Sequence, residues 1–187
     1  MRLRQPRITP LADEEMQPDQ RKALGAFGSG PIFNIFRTLA RAPKALQRFN
    51  HWGGYVLSQR NDLPAREREI LILRVGYLCR SGYEFAQHTR IGLESGLTRD
   101  EIARIKTGAE AQWSPADAAL IRAADELVGD HFIADATWAA LGEHFTDKQR
   151  MDVVFTCGQY TQVSMILNSF GIQYDEGLER DPDLEAY

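Results

Sequence analysis

The chain has 187 residues, 43% hydrophobic and 26% charged, which is the balance of an ordinary globular domain able to bury one core of its own. The net charge is −4 and Arg and Lys alternate with Asp and Glu, so no basic stripe exists to follow a phosphate backbone and nucleic acid is not an expected partner. The basic start MRLRQPR runs into TPLADEEMQPDQ instead of an apolar stretch, and Arg74 interrupts the most apolar run before it could span a bilayer, so no membrane segment and a cytoplasmic location are expected.

Residues 1–30 read as an N-terminal arm, extended to about Pro10, followed by a short helix after Pro18 that runs from Gln20 to Phe27 and ends in the glycines of GSGP. A helical domain is expected over 31–172. Ile32, Phe33, Ile35, Phe36 and Leu39 have helical spacing, and Pro43 opens another helix through Leu46, Phe49, Trp52, Tyr55 and Val56 towards Asn61, with His51 beside Trp52. The pair Gly53-Gly54 inside that helix costs about 1 kcal/mol of propensity per glycine relative to alanine, a weakness that points to close approach of another backbone or a ligand.

A mostly buried helix is predicted over Ala65 to Arg80, carrying Ile70, Leu71, Leu73, Val75 and Leu78, and a second over Tyr83 to Ser95, with Ser81 placed to cap it. Thr98 and Glu101 form a capping box for a helix ending at Gly108. Ser114 and Pro115 open the next, which carries Leu120, Ile121, Ala124, Leu127 and Val128 to Gly129. A shorter helix starts at Asp135. Thr146 and Gln149 make a second capping box, and Val153, Val154, Cys157, Tyr160, Val163, Ile166 and Leu167 mark a long amphipathic helix that stops before Gly171. The tail, 173–187, is acidic and has the composition of a disordered segment. No strand pattern or repeat is evident, so the fold class is all-α.

The densest chemistry lies in the stretch EREILILRVGYLCRSGYEFAQHTRIGLESG. Glu84 and His88 stand four residues apart and share one helix face. Two helices joined by so short a turn run antiparallel, which brings Glu69 level with the middle of the second helix and sets three proton-exchanging groups on one seam. An imidazole between carboxylates can donate and accept protons near neutral pH, so Glu69, Glu84 and His88 are a candidate general acid/base set. The competing account is an ordinary helix-surface ion pair beside the solvated run REREI. A metal site would need a third ligand such as His51, and no metal is expected. Arg74, the one cation in the buried stretch, can bind a substrate carboxylate or neutralise Glu69 or Glu84; the second role is favoured because buried charges are nearly always paired. Trp52, Tyr55 and Tyr83, with His51 alongside, are candidate pocket walls. Cys79 and Cys157 form no C-x-x-C pair and read as small apolar fillers.

The run LPAREREILILR, then YEFAQH, then GLTRDEI, in that order and separation, resembles the carboxymuconolactone decarboxylase family, which shares the AhpD-like all-helical fold with alkyl hydroperoxidases. The resemblance covers about Leu63 to Gly108 by motif. It implies a helical bundle with a central antiparallel pair, a trimer-based homo-oligomer with pockets near subunit contacts, and no cofactor. In the hydroperoxidase branch a C-x-x-C pair precedes the histidine; here those positions fall on Ser81 and Glu84, so that branch's disulfide cycle lacks both sulfurs. For a carboxymuconolactone the chemistry is loss of carbon dioxide followed by delivery of a proton to carbon, with His88 held by Glu84 as the expected donor. Three readings therefore stand: an acid/base enzyme acting on a small lactone or carboxylate, a peroxidase-related protein using Cys79 or Cys157, and a non-catalytic helical assembly.

Overall fold

The computed structural model describes residues 1–25 and 30–185, so the expected end of the first helix at Phe27 lies outside the described residues. Among them every regular element is helical, in the order α1 (Pro18–Leu24), α2 (Asn34–Leu39), α3 (Pro43–Val56), α4 (Ala65–Leu78), α5 (Gly82–Glu94), α6 (Arg99–Thr107), α7 (Pro115–Gly129), α8 (Asp135–Gly142) and α9 (Asp147–Phe170). Short 3-10 turns sit at Asp13–Glu15 and Pro182–Leu184.

α4 is the axis of the bundle. Ile70, Leu71, Ile72, Leu73 and Val75 are all completely buried, because a helix that is apolar all round can only be satisfied by neighbours on every side. Those neighbours are α5, α7 and α9, with α6 beside them. A second, smaller core of Leu11, Met16, Leu24, Ala40 and Leu46 seats α1 against α2 and α3.

The turn from α4 to α5 sets the register of the central pair. Gly76 and Tyr77 carbonyls accept from the Ser81 and Arg80 amides at 2.8 and 2.9 Å, with Arg80 left-handed at φ 52. This is the hydrogen-bond pattern of a Schellman end, with arginine where glycine is usual. Ser81 stands at the N-cap of α5, yet its hydroxyl makes no capping bond and has no partner, contrary to the capping role expected of it. The other expected caps form: Thr98 and Thr146 each close a capping box, and Ser114 accepts from the Asp117 amide at 3.1 Å. α9 ends on the left-handed Gly171 (φ 68), where an added Cβ would meet the Gln5 carbonyl at 2.9 Å. The N-terminal arm is fixed there by Arg7 and Ile8 amides donating to the Phe170 carbonyl.

The described part of the acidic tail, 173–185, is held by specific partners, against the expectation of disorder. Lys106 pairs with Asp181 and Asp183, Leu184 is buried, and Asp175 is engaged by three donors from two helices. Its acidity is complementary to cations and N–H groups of the bundle, which composition alone does not reveal.

Candidate active site

The antiparallel pair brings Glu69 of α4 against α5, where Glu69 Oε2 lies 2.6 Å from His88 Nδ1 and Glu84 Oε1 lies 3.0 Å from His88 Nε2. The i, i+4 spacing delivers the second contact and the Schellman turn delivers the first. All three side chains are buried, Glu69 to 1% exposure and His88 to 6%, so the surface ion-pair account does not describe them. Tyr160 of α9 meets the imidazole edge-on, with ring centroids 4.8 Å apart.

Burial is the largest single influence on His88 and opposes its charge, but the two carboxylates, through charge and hydrogen bonds together, outweigh it and raise the imidazole to about 10. The group is therefore an imidazolium at neutral pH, with one N–H donated to each carboxylate. Burial, reinforced by Glu84 and Glu69, keeps the Tyr160 hydroxyl protonated far above the usual range.

Glu84 and His88 open into a cavity of about 390 Å³, whereas Glu69 lies behind them. Phe33 and Phe36 of the α2 region, Phe49, Gly53, Gly54 and Leu57 of the α3 region, and Gln159, Tyr160 and Val163 of α9 complete the walls with Tyr83, Gln87 and Ile91 of α5. The paired glycines of α3 thus face this space. A Cβ on Gly53 would stand 3.5 Å from Gln159 Nε2, in ordinary contact, and one on Gly54 would meet nothing within 4 Å. Among the described residues no Lys or Arg lines the cavity.

The remaining expected site residues divide. Tyr83 lines the cavity and donates to Asp175 of the tail, and Gln87 donates to the same carboxylate at 3.0 Å. Trp52 is displaced outward, where it stacks on Tyr55 and meets Phe155 edge-on, and Tyr55 donates to the buried Asp152 at 2.6 Å. His51 is exposed and contacts the Gln47 carbonyl one turn earlier. Neither lines the cavity, because their positions on α3 face away from the side that carries Phe49 and Gly53. Arg74 neutralises neither Glu69 nor Glu84: its guanidinium donates to Asp125 of α7 and to the Ile105 and Lys106 carbonyls at the end of α6. It points to the opposite side of α4, and its partners are the free carbonyls that every helix end presents. Cys79 is half-buried and Cys157 fully buried, and desolvation raises both thiols.

Gln87, Gln159, Tyr160 and Asp175 belong to the site and were not singled out for it in the sequence. Tyr160 reads there as one more core position of α9, Gln159 carries no spacing signal, and Asp175 is hidden in the acidic tail.

Residues 43–126 match the carboxymuconolactone decarboxylase family. Among curated proteins no relative matches the chain. Solved structures share the fold at low identity. An alkylhydroperoxidase AhpD core protein from Ralstonia eutropha, an uncharacterized peroxidase-related protein, is 19% identical, with 90% of this chain and 93% of that one covered at a TM-score of 0.76. A protein of unknown function from Agrobacterium tumefaciens, a putative antioxidant defence protein AhpD, is 18% identical over 73% of this chain and 94% of that one, with a TM-score of 0.68. The debrominase Bmp8 in complex with 2,3,4-tribromopyrrole is 10% identical over 90% and 91%, with a TM-score of 0.75. The matched region contains Glu69, Glu84 and His88 but none of α2, α9 or the tail, so the walls of the cavity contributed by the α2 region and α9 are built outside it. The chain is thus a helical protein of AhpD-like fold whose residues 43–126 match the carboxymuconolactone decarboxylase family.

Proposed function

We propose that this protein is an acid/base enzyme of the carboxymuconolactone decarboxylase type that moves a proton on the carbon skeleton of a small, mainly apolar lactone or related carbonyl compound. The observation that carries this reading is the Glu69–His88–Glu84 chain ending in the wall of an apolar cavity. Glu84 is the member positioned to meet substrate, with His88 behind it and Glu69 behind both. When a carbanion or enolate forms, the proton it needs passes through Glu84: the carboxylate takes the Nε2 proton of the His88 imidazolium, delivers it to carbon and returns to a carboxylate. The imidazole left behind keeps its Nδ1 proton on Glu69, which fixes the tautomer. The reverse sequence removes a proton from carbon.

Glu84 with no Lys or Arg beside it favours a neutral lactone over a free carboxylate, because the one positive charge in the wall, the His88 imidazolium, is already shared between Glu69 and Glu84. Decarboxylation remains within the same chemistry when the departing carboxylate is oriented away from Glu84. The peroxidase reading is disfavoured by Ser81 and Glu84 at the two positions where that branch places sulfur, and by two desolvated, protonated thiols. Non-catalytic assembly gives no account of a buried imidazolium at a cavity wall.

The test is a panel of lactones, enolisable ketones and β-keto acids in deuterated water, read by NMR for deuterium entering C–H positions and by carbon dioxide release. Exchange or release by the wild type, slowed about a hundredfold or more in Glu84→Gln and His88→Ala, is expected for the loss of one acid/base partner. Wild-type protein inert across the panel, or variants as fast as wild type, would overturn the reading.

A further inference from the structure

Gln159 is a buried carboxamide of the cavity wall whose oxygen the protein leaves unpartnered. It is 4% exposed and its Oε1 is buried with no hydrogen-bond partner. Gln87, the other glutamine of the wall, is by contrast held by Asp175. A buried amide oxygen left unpartnered loses the water it had in the unfolded chain and gains nothing in return, a cost that a polar ligand in the adjoining cavity would offset. The surroundings narrow what that is. Gly53 of α3 lies directly against Nε2, and no side chain at that position screens the amide from the cavity. His88 is already committed at both ring nitrogens, so it offers the ligand no free lone pair. The Tyr160 hydroxyl, protonated and adjacent in sequence, is a second uncharged polar group of the same wall.

We infer that Gln159 is the specificity-determining contact of this cavity, hydrogen-bonding the oxygen of a neutral carbonyl or hydroxyl compound and selecting it over the corresponding carboxylate. This rests on the acid/base reading of the site only for the role of that oxygen. If a proton leaves the carbon beside the carbonyl, negative charge grows on the oxygen that Gln159 holds, and a carboxamide N–H strengthens its bond to it as it does so. Recognition itself requires no chemistry. A carboxamide supplies donor and acceptor directions without charge, which suits a lactone or a hydroxy lactone, whereas an anionic ligand would have Glu84 close by and only the His88 imidazolium, already paired with two carboxylates, to meet it. Because Gln159 lies on α9, outside the family-matched region, this choice of ligand is set by a part of the chain that can differ while the Glu69–His88–Glu84 chain stays the same.

The experiment measures binding separately from turnover, by calorimetry or ligand-observed NMR, with three probes of one size: a butenolide, its ring-opened hydroxy carboxylate, and cyclopentene. The proteins are wild type, Gln159→Leu and His88→Ala, with thermal unfolding of each recorded to confirm folding. Wild type is expected to bind the butenolide in preference to the carboxylate. Gln159→Leu should weaken the butenolide about tenfold while holding cyclopentene as well as wild type does. Unchanged butenolide affinity in Gln159→Leu, equal losses for butenolide and cyclopentene, or a wild type that prefers the carboxylate would each overturn the inference. Should Gln159→Leu fail to fold, Gln159→Glu replaces it, with selective loss of butenolide expected and retention overturning. Gln159-dependent binding with no deuterium exchange in any probe would overturn the proposed function and leave this inference standing; exchange that is indifferent to Gln159→Leu would do the reverse.

Discussion

His88 sits in charge-paired burial, and its protonation has a consequence for stability whose sign follows from the direction of its shift. The imidazole is near 6.5 when unperturbed and raised to about 10 in the fold, so the folded state holds its proton more tightly than the unfolded chain. The resulting stabilisation is fully present below about 6.5 and is lost as pH rises through about 10. We expect unfolding midpoints in denaturant to fall across that interval and to stop falling above it, less steeply in Glu84→Gln. NMR titration of the ring should show a midpoint well above 6.5 in wild type and a lower one in Glu84→Gln, which keeps the shape and removes one charge. Identical midpoints would mean that Glu84 does not act on the imidazole. The pairing of Glu84 with His88 is legible in the sequence because i, i+4 spacing is a local property of a helix. The bond from Glu69 is legible as well, since a short turn leaves little freedom in the register of two helices. Gln159 is not, because which residue of a long helix faces a cavity depends on how that helix rolls against α3, α4, α5, α7 and α8.

Each element around the site is held by contacts whose positions can be tested independently of chemistry. Arg74 fastens α4 to the end of α6 and to α7, and a Cβ on Gly108, already left-handed at φ 103, would meet Arg74 Nη2 at 2.8 Å. Its replacement by Met should destabilise the fold by about 3 kcal/mol, since carbonyls and Asp125 lose their buried partner, while butenolide binding by the folded fraction stays unchanged. Selective loss of binding at unaltered stability would restore Arg74 to the substrate. In α3 the two glycines separate propensity from function. Gly53→Ala and Gly54→Ala should each add up to about 1 kcal/mol of helix stability, but only the first places a methyl group over Gln159 Nε2 and should weaken butenolide binding. Equal effects of the two on binding would show that the cavity senses only lost volume. The expectations for Trp52 and His51 miss because sequence reveals that α3 has a cavity face without saying which side it is; the two glycines lie on that face, with no other backbone packed close against them.

At the scale of the molecule, α9 carries Met151, Val154 and Met165, all exposed and on one side of the helix, with exposed Trp52 on α3 nearby through Phe155. The proposed homo-oligomer would cover this face, and Val154→Glu with Met165→Glu should then lower the mass found by sedimentation; a wild type that is monomeric at all concentrations removes the proposal. The all-helical architecture and nearly every helix boundary follow from periodicity and capping residues, which are short-range signals. The ordering of the tail does not, because its partners Asn34, Tyr83, Gln87 and Lys106 are brought to it only by the finished fold. Asp175 is where this matters most. One of its oxygens takes the Asn34 amide at 2.8 Å, the first of α2, and the other takes Tyr83 and Gln87 of α5. Two walls of the cavity are therefore riveted by a single carboxylate that belongs to neither. Breathing of the cavity is then a fluctuation of the tail, and its rate is set by how often that carboxylate lets go. In Asp175→Ala, hydrogen exchange at the first turn of α2 should quicken about tenfold or more while amides of α4 keep their protection, and bound butenolide should leave sooner. If α2 exchanges no faster, ligand passage is governed elsewhere in the wall.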